Sequence, residues 1–132
     1  MYRVLLAVVS ACGLAACGVT NPSDLATVTF SGTVDPGSQS TQFSVRQAKT
    51  GEFVVKVTAV APDSGATLLF EYGGAATVGG VAGCSVSGGF PVQQNKSTNI
   101  QLPAGDYCVF MADPGSPPLP KTESFTMVLS HT

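Results

Sequence analysis

Two hydrophobic patterns divide the chain. From Val4 to Leu14 apolar residues run almost unbroken behind a single positive Arg3 and close on the small pair Ala15-Ala16. A run of about 11 residues is too short for a bilayer span, which takes about 20, and its layout is that of a secretory signal peptide with a helical apolar centre. Beyond Leu25 the period becomes two, the signature of strands with one buried face. Val28, Phe30 and Val34 alternate with Thr29, Ser31 and Thr33, and Thr41 to Arg46 repeats the pattern through Phe43 and Val45. Glu52 to Val60 sets Phe53, Val55, Val57 and Ala59 on one side against Glu52, Val54, Lys56 and Thr58 on the other. Thr67 to Tyr72 is more continuously apolar and predicts a central strand. Ser97 to Leu102, Asp106 to Met111 and Ser124 to Ser130 complete the series, the last through Phe125, Met127 and Leu129.

Between these stretches lie turn residues: Asp35-Pro36-Gly37, Lys49-Thr50-Gly51, Pro62 to Gly65 and Pro103-Ala104-Gly105. Proline fixes φ at one corner and glycine admits the opposite sign at the next. Seven or eight short strands separated in this way predict an all-β, antiparallel two-sheet sandwich, jelly-roll-like or Ig-like. Gly73 to Gly89 resists the pattern, because seven glycines stand there among small residues. It reads either as short distorted strands around Ala82 to Val86 or as a long mobile loop.

Composition narrows the domain count and the partners. Without a signal peptide of 16 residues about 116 remain, enough for one domain with a modest core and too few for two. The predicted organisation is therefore a signal peptide over 1–16, a polar tether over 17–26 broken by Pro22, and one sandwich over 27–132. Arg46, Lys49, Lys56, Lys96 and Lys121 are scattered singly, so no basic patch is available for phosphates and nucleic acid is not an expected partner.

Leu14-Ala15-Ala16-Cys17 resembles the lipobox of bacterial lipoproteins. The resemblance implies cleavage before Cys17, a diacylglyceryl thioether on its sulfur and acylation of the new amine. Two or three fatty chains, at about 0.8 kcal/mol per buried methylene, hold a protein durably to a membrane. The expected location is extracytoplasmic, on the outer membrane in a Gram-negative cell because Gly18 follows the lipid cysteine. With Cys12 removed and Cys17 lipidated, Cys84 and Cys108 remain, and an even remainder outside the cytoplasm predicts one structural disulfide.

The mature part resembles the bacterial pre-peptidase C-terminal domain, a jelly-roll-like sandwich found beside secreted peptidases. The similarity is carried by Phe30-Ser31-Gly32-Thr33-Val34, by Gly51 to Val57, by Thr67 to Tyr72, and by Leu102-Pro103-Ala104-Gly105-Asp106-Tyr107 leading into Cys108-Val109. Many members of that family place aspartates, sometimes serving calcium, where this chain reads Ala66 to Glu71. Calcium takes six to eight oxygen ligands, so Asp63 and Glu71 alone predict no strong metal site.

The chemistry of catalysis is thinly represented, and no enzyme activity, metal or cofactor is expected. The single histidine, His131, is the penultimate residue, where chains fray. The double glycines introduce no helix and so form no phosphate loop. A stiff loop carrying Pro114, Pro117, Pro118, Leu119 and Pro120 is the candidate contact surface, since a preordered segment lowers the entropic cost of recognition. The expected role is a membrane-anchored, non-catalytic binding or structural module of the cell envelope whose partner is an envelope protein or glycan. The alternative is an inhibitor of an envelope-attacking hydrolase, a lysozyme or protease, that inserts this loop into the enzyme's cleft.

Overall fold

Each period-two stretch becomes a strand because one row of its side chains has an apolar layer to enter. In the computed structural model, which describes residues 25–132, these are β1 (Ala26–Val34), β2 (Phe43–Gln47), β3 (Gly51–Ala61), β4 (Leu68–Val78), β5 (Val81–Val92), β6 (Ser97–Leu102), β7 (Gly105–Ala112) and β8 (Glu123–His131). The helical signal peptide over 1–16, Cys17 and all but the last two residues of the 17–26 tether lie outside the described residues.

The strands form two antiparallel four-stranded sheets, ordered β1-β8-β3-β6 and β2-β7-β4-β5. Successive strands cross between the sheets at every connection except the β4–β5 hairpin, which is the strand order of a jelly roll. Phe53, Val57, Leu68, Phe70, Val109, Met111, Met127 and Leu129 fill the space between the sheets with no exposed surface. At the open flank Phe30 of β1 stacks on Phe43 of β2 with ring centroids 4.5 Å apart, joining the two edge strands.

The connections define two ends. The short links from Gln47 to Gly51 and from Leu102 to Gly105 bring together, at one end, the start of β3, the end of β6, the end of β8 and the start of β1 at Ala26. The links through 35–42, 62–67, 93–96 and 113–122 gather at the opposite end.

Two local departures from the predicted alternation have identifiable causes. In β3 the register against β8 shifts between Val57 and Ala59, so Val60 turns inward at 4% exposure and Ala59 faces solvent. One extra residue in one strand reverses the facing of all that follow. At the chain end His131 is held in β8, paired with Ala26 and Phe53 and half-buried, where fraying was expected. The cause is Gln47, 1% exposed, whose Nε2 donates to the Gly51 and Glu52 carbonyls at 3.3 and 3.4 Å and whose Oε1 accepts the Thr132 N–H at 3.1 Å. A buried amide that satisfies its hydrogen bonds on backbone fixes that backbone.

The glycine-rich segment is neither a loop nor a pair of short strands. It forms the outer half of a β4–β5 hairpin closed by the two-residue turn Gly79-Gly80, at φ +59° and +81°. Positive φ at both corners is the condition of a tight hairpin turn, and glycine meets it without a Cβ penalty. After Gly74 this hairpin leaves its neighbour: β4 pairs with β7 only as far as Gly74↔Tyr107, while pairing with β5 continues to Val78↔Val81. The register with β5 slips between Tyr72 and Gly73, and such a bulge increases local twist. The outer half thereby leans across the outside of β7, where the Cys84–Cys108 disulfide pins it with the two Cα atoms 5.6 Å apart.

Candidate functional site

The proline-rich connection from β7 to β8 starts with a carboxylate that organises it. Asp113 Oδ2 accepts the Gly37 N–H at 2.6 Å, and its Oδ1 accepts the N–H groups of Gly115 at 2.8 Å and Leu119 at 3.1 Å. The Gly115 contact is an Asx turn, for which Asp-Pro-Gly is the sequence signal. These N–H groups, first that of Gly37, hold the Asp113 carboxyl below the usual aspartate range, because each favours the charged form.

Further bonds tie this connection to the neighbouring loops. Thr122 Oγ1 donates to Asp35 Oδ1 at 2.6 Å, and Ser124 Oγ donates to the Ala61 carbonyl at 3.1 Å. Glu123, fully buried at the start of β8, accepts the Asp63 N–H on Oε2 at 3.0 Å, while Oε1 has no partner among the described residues. The sequence shows Glu123 only as one more scattered acid. That its side chain points inward follows from its parity with Phe125, Met127 and Leu129.

The candidate contact residues therefore divide. Leu119 is 6% exposed and belongs to the core, so it fastens the loop. Pro117, Pro118 and Pro120 are exposed. Together with Pro114, Ser116 and Leu119 they wall a cleft of about 390 Å³ whose other side is Asp63, Gly65 to Thr67 and Pro91. The loop is thus one wall of a cleft and not a free projection.

That volume lies within the range of small-molecule sites, and the wall is mostly prolyl rings with few polar groups. Its carboxylate, Asp63, already accepts the Gly65 N–H on Oδ1 at 2.9 Å. The chain's single histidine lies at the opposite end, on β8, so the cleft holds no nucleophile–imidazole pair. The cleft therefore offers mainly apolar ring surface. A second, wider groove of about 540 Å³ runs between Gln39 to Ser44 and the leaning hairpin, with Cys108 in its lining and no charged side chain. No cluster of three or more metal-ligating side chains occurs among the described residues.

No protein-family model matches the chain, and no curated protein matches it either.

The clamp on Asp113 predicts an acid-sensitive loop. A carboxyl whose folded value is depressed contributes stability above its unfolded value of about 3.9, and that contribution is lost as pH falls through the folded value. Melting temperature followed from pH 6 downward should decline below about pH 4 more steeply in the wild type than in Asp113→Asn. Parallel curves would show that the three N–H contacts do not stabilise the charged form.

Proposed function

We propose that the protein is a bacterial lipoprotein, anchored through Cys17 to an extracytoplasmic membrane face, whose jelly-roll domain is a non-catalytic binding module of the cell envelope. The observation that carries this reading is the opposition of the two ends. The chain enters the sandwich at Ala26, on the end shared with the Gln47–Gly51 and Leu102–Gly105 links, while the proline-walled cleft lies at the other. A lipid anchor on the entering chain holds the first end towards the bilayer and presents the cleft outward. The disulfide fits an oxidising compartment, and the likeness to exported pre-peptidase C-terminal domains fits an exported binding role.

Cys17→Ser is expected to abolish incorporation of labelled fatty acid and to move the protein from the membrane to the soluble fraction. Retained labelling would refute the anchor. For the cleft, a photo-crosslinking amino acid at Pro118 of the full chain should capture one discrete envelope component in intact cells. The same group at Lys56, exposed on the outer face of β3, should not. Equal capture at both positions, or none at either, would refute the binding role of the cleft.

A further inference from the structure

Edge strands offer unpaired N–H and C=O groups to other chains, and they are ordinarily guarded by charge, proline, a bulge or shortness. The edges of the sandwich are β1 and β6 in one sheet and β2 and β5 in the other. β2 is five residues long and carries Arg46, and β6 is six residues long and follows Lys96. β5 contains Pro91 and meets β4 through the register shift beside Tyr72. β1 has none of these guards: its nine residues, Ala26 to Val34, are free of charge and proline and pair with β8 in unbroken register.

The sequence of this edge is close to a palindrome. About Phe30, Thr29 mirrors Ser31, Val28 mirrors Gly32, Thr27 mirrors Thr33 and Ala26 mirrors Val34. The hydroxyl residues of the set face outward and are exposed, whereas Val28, Phe30 and Val34 face the core. When two such strands pair antiparallel with Phe30 opposite Phe30, Thr27 meets Thr33 and Thr29 meets Ser31 on the outer face, and the inner face sets ring against ring. Cross-strand hydroxyl pairs and aromatic pairs are each favourable, and no like charges are opposed. Phe30 and Phe43, stacked at this flank, are only partly buried in one copy, so the facing stacks of two copies gain cover from water.

We propose that β1 is a self-association edge, which pairs with β1 of a second copy about a two-fold axis at Phe30 and joins the two β1-β8-β3-β6 sheets into one continuous sheet. A two-fold contact requires a surface complementary to itself, and a palindromic strand supplies one in its antiparallel pairing. The pairing is independent of Cys17 and adds to the anchored module. The axis reverses one copy against the other, so the two clefts lie at opposite ends of the pair. β1 spans roughly 30 Å, and the eight residues between Cys17 and Ala26 reach about as far when extended. Both anchors therefore reach one bilayer when β1 lies along it, and the clefts of the pair then open along the membrane, where a single anchored copy points its cleft outward.

The full lipidated protein, in detergent with micelles in large excess, should sediment as a dimer that dissociates on dilution. Thr29→Lys, at an exposed position, should weaken that dimer by about tenfold or more, because it puts two uncompensated charges at the seam. Ser31→Glu should weaken it similarly. Position 29 faces position 31 of the other copy, so an equal mixture of the two variants should recover a heterodimer. Ser87→Lys, exposed on β5, should leave the dimer intact. In the unaltered protein, amide exchange over 27–33 should slow as concentration rises, a readout that needs no variant. A wild type that stays monomeric up to about 100 μM overturns the proposal and leaves the edge to a different partner. So do a dimer that survives Thr29→Lys or is lost with Ser87→Lys, variants that do not associate on mixing, and exchange over 27–33 that ignores concentration.

Discussion

Gly73→Ala is expected to cost about 3 kcal/mol of stability, roughly 15 °C in melting temperature for a domain of this size. At Gly73 the returning β5 strand passes so close that a methyl group would fall inside the carbonyl oxygen of Ser85 and within 2.8 Å of Val86 Cα. Both are backbone atoms. No side chain can rotate aside, so either the hairpin lifts or β4 bends, and both disturb the strand that carries fully buried Leu68 and Phe70. Gly74→Ala supplies the comparison, because nothing stands within 4 Å of its added carbon. That change should be neutral or stabilising by about 0.5 kcal/mol, through the reduced freedom of the unfolded chain. Thermal unfolding of the two variants side by side decides the matter. Equal melting temperatures would mean that Ser85 yields freely and that the close approach does not constrain the hairpin.

The contrast between these two glycines shows where sequence reading ends. β8 is legible because Phe125, Met127 and Leu129 alternate with Thr126, Val128 and Ser130, and burial follows the alternation to its end. The outer half of the hairpin is not, since alternation is a property of side chains and glycine and alanine carry almost none. Its strand character lies in backbone pairing, which leaves no periodic trace. The pair Gly79-Gly80, two residues between stretches of equal length, was the available signal for a tight hairpin. In β3 the hydrophobic pattern is equally compatible with Ala59 or Val60 facing inward, and only the partner strand chooses between them. The proline-rich loop was visible by composition, but its fastening was not. Leu119 looked like one more residue of a projecting loop, and Asp113 like a turn former, until tertiary contacts gave one a place in the core and the other three N–H groups. Gln47 and Glu123 are polar residues at inward parity, the case in which parity and polarity give opposite answers and a buried hydrogen-bond partner from another loop decides.

Removal of the Cys84–Cys108 bond is expected to cost about 3.5 kcal/mol by the chain-entropy estimate for a loop of this length, the residues being 24 apart in sequence. In Cys84→Ala with Cys108→Ala the loss should be concentrated. Hydrogen exchange should rise over 73–86, where the hairpin is held to the sheet by this bond and by little else, and remain low in β3 and β8, whose ladders and core contacts do not involve it. The untreated mature protein should show no titratable thiol, and exchange unchanged over 73–86 in the double variant would show that the hairpin is secured without the bond. Gly73 and the disulfide act on one contact from opposite sides, the first allowing β5 to approach and the second holding it there. Once the bond is gone the hairpin can rise and relieve a methyl group at position 73. Gly73→Ala should accordingly cost less in the cysteine-free background than in the wild type, by about 1–2 kcal/mol. Strict additivity would mean that the close approach is set by the bulge in β5 and not by the covalent pin.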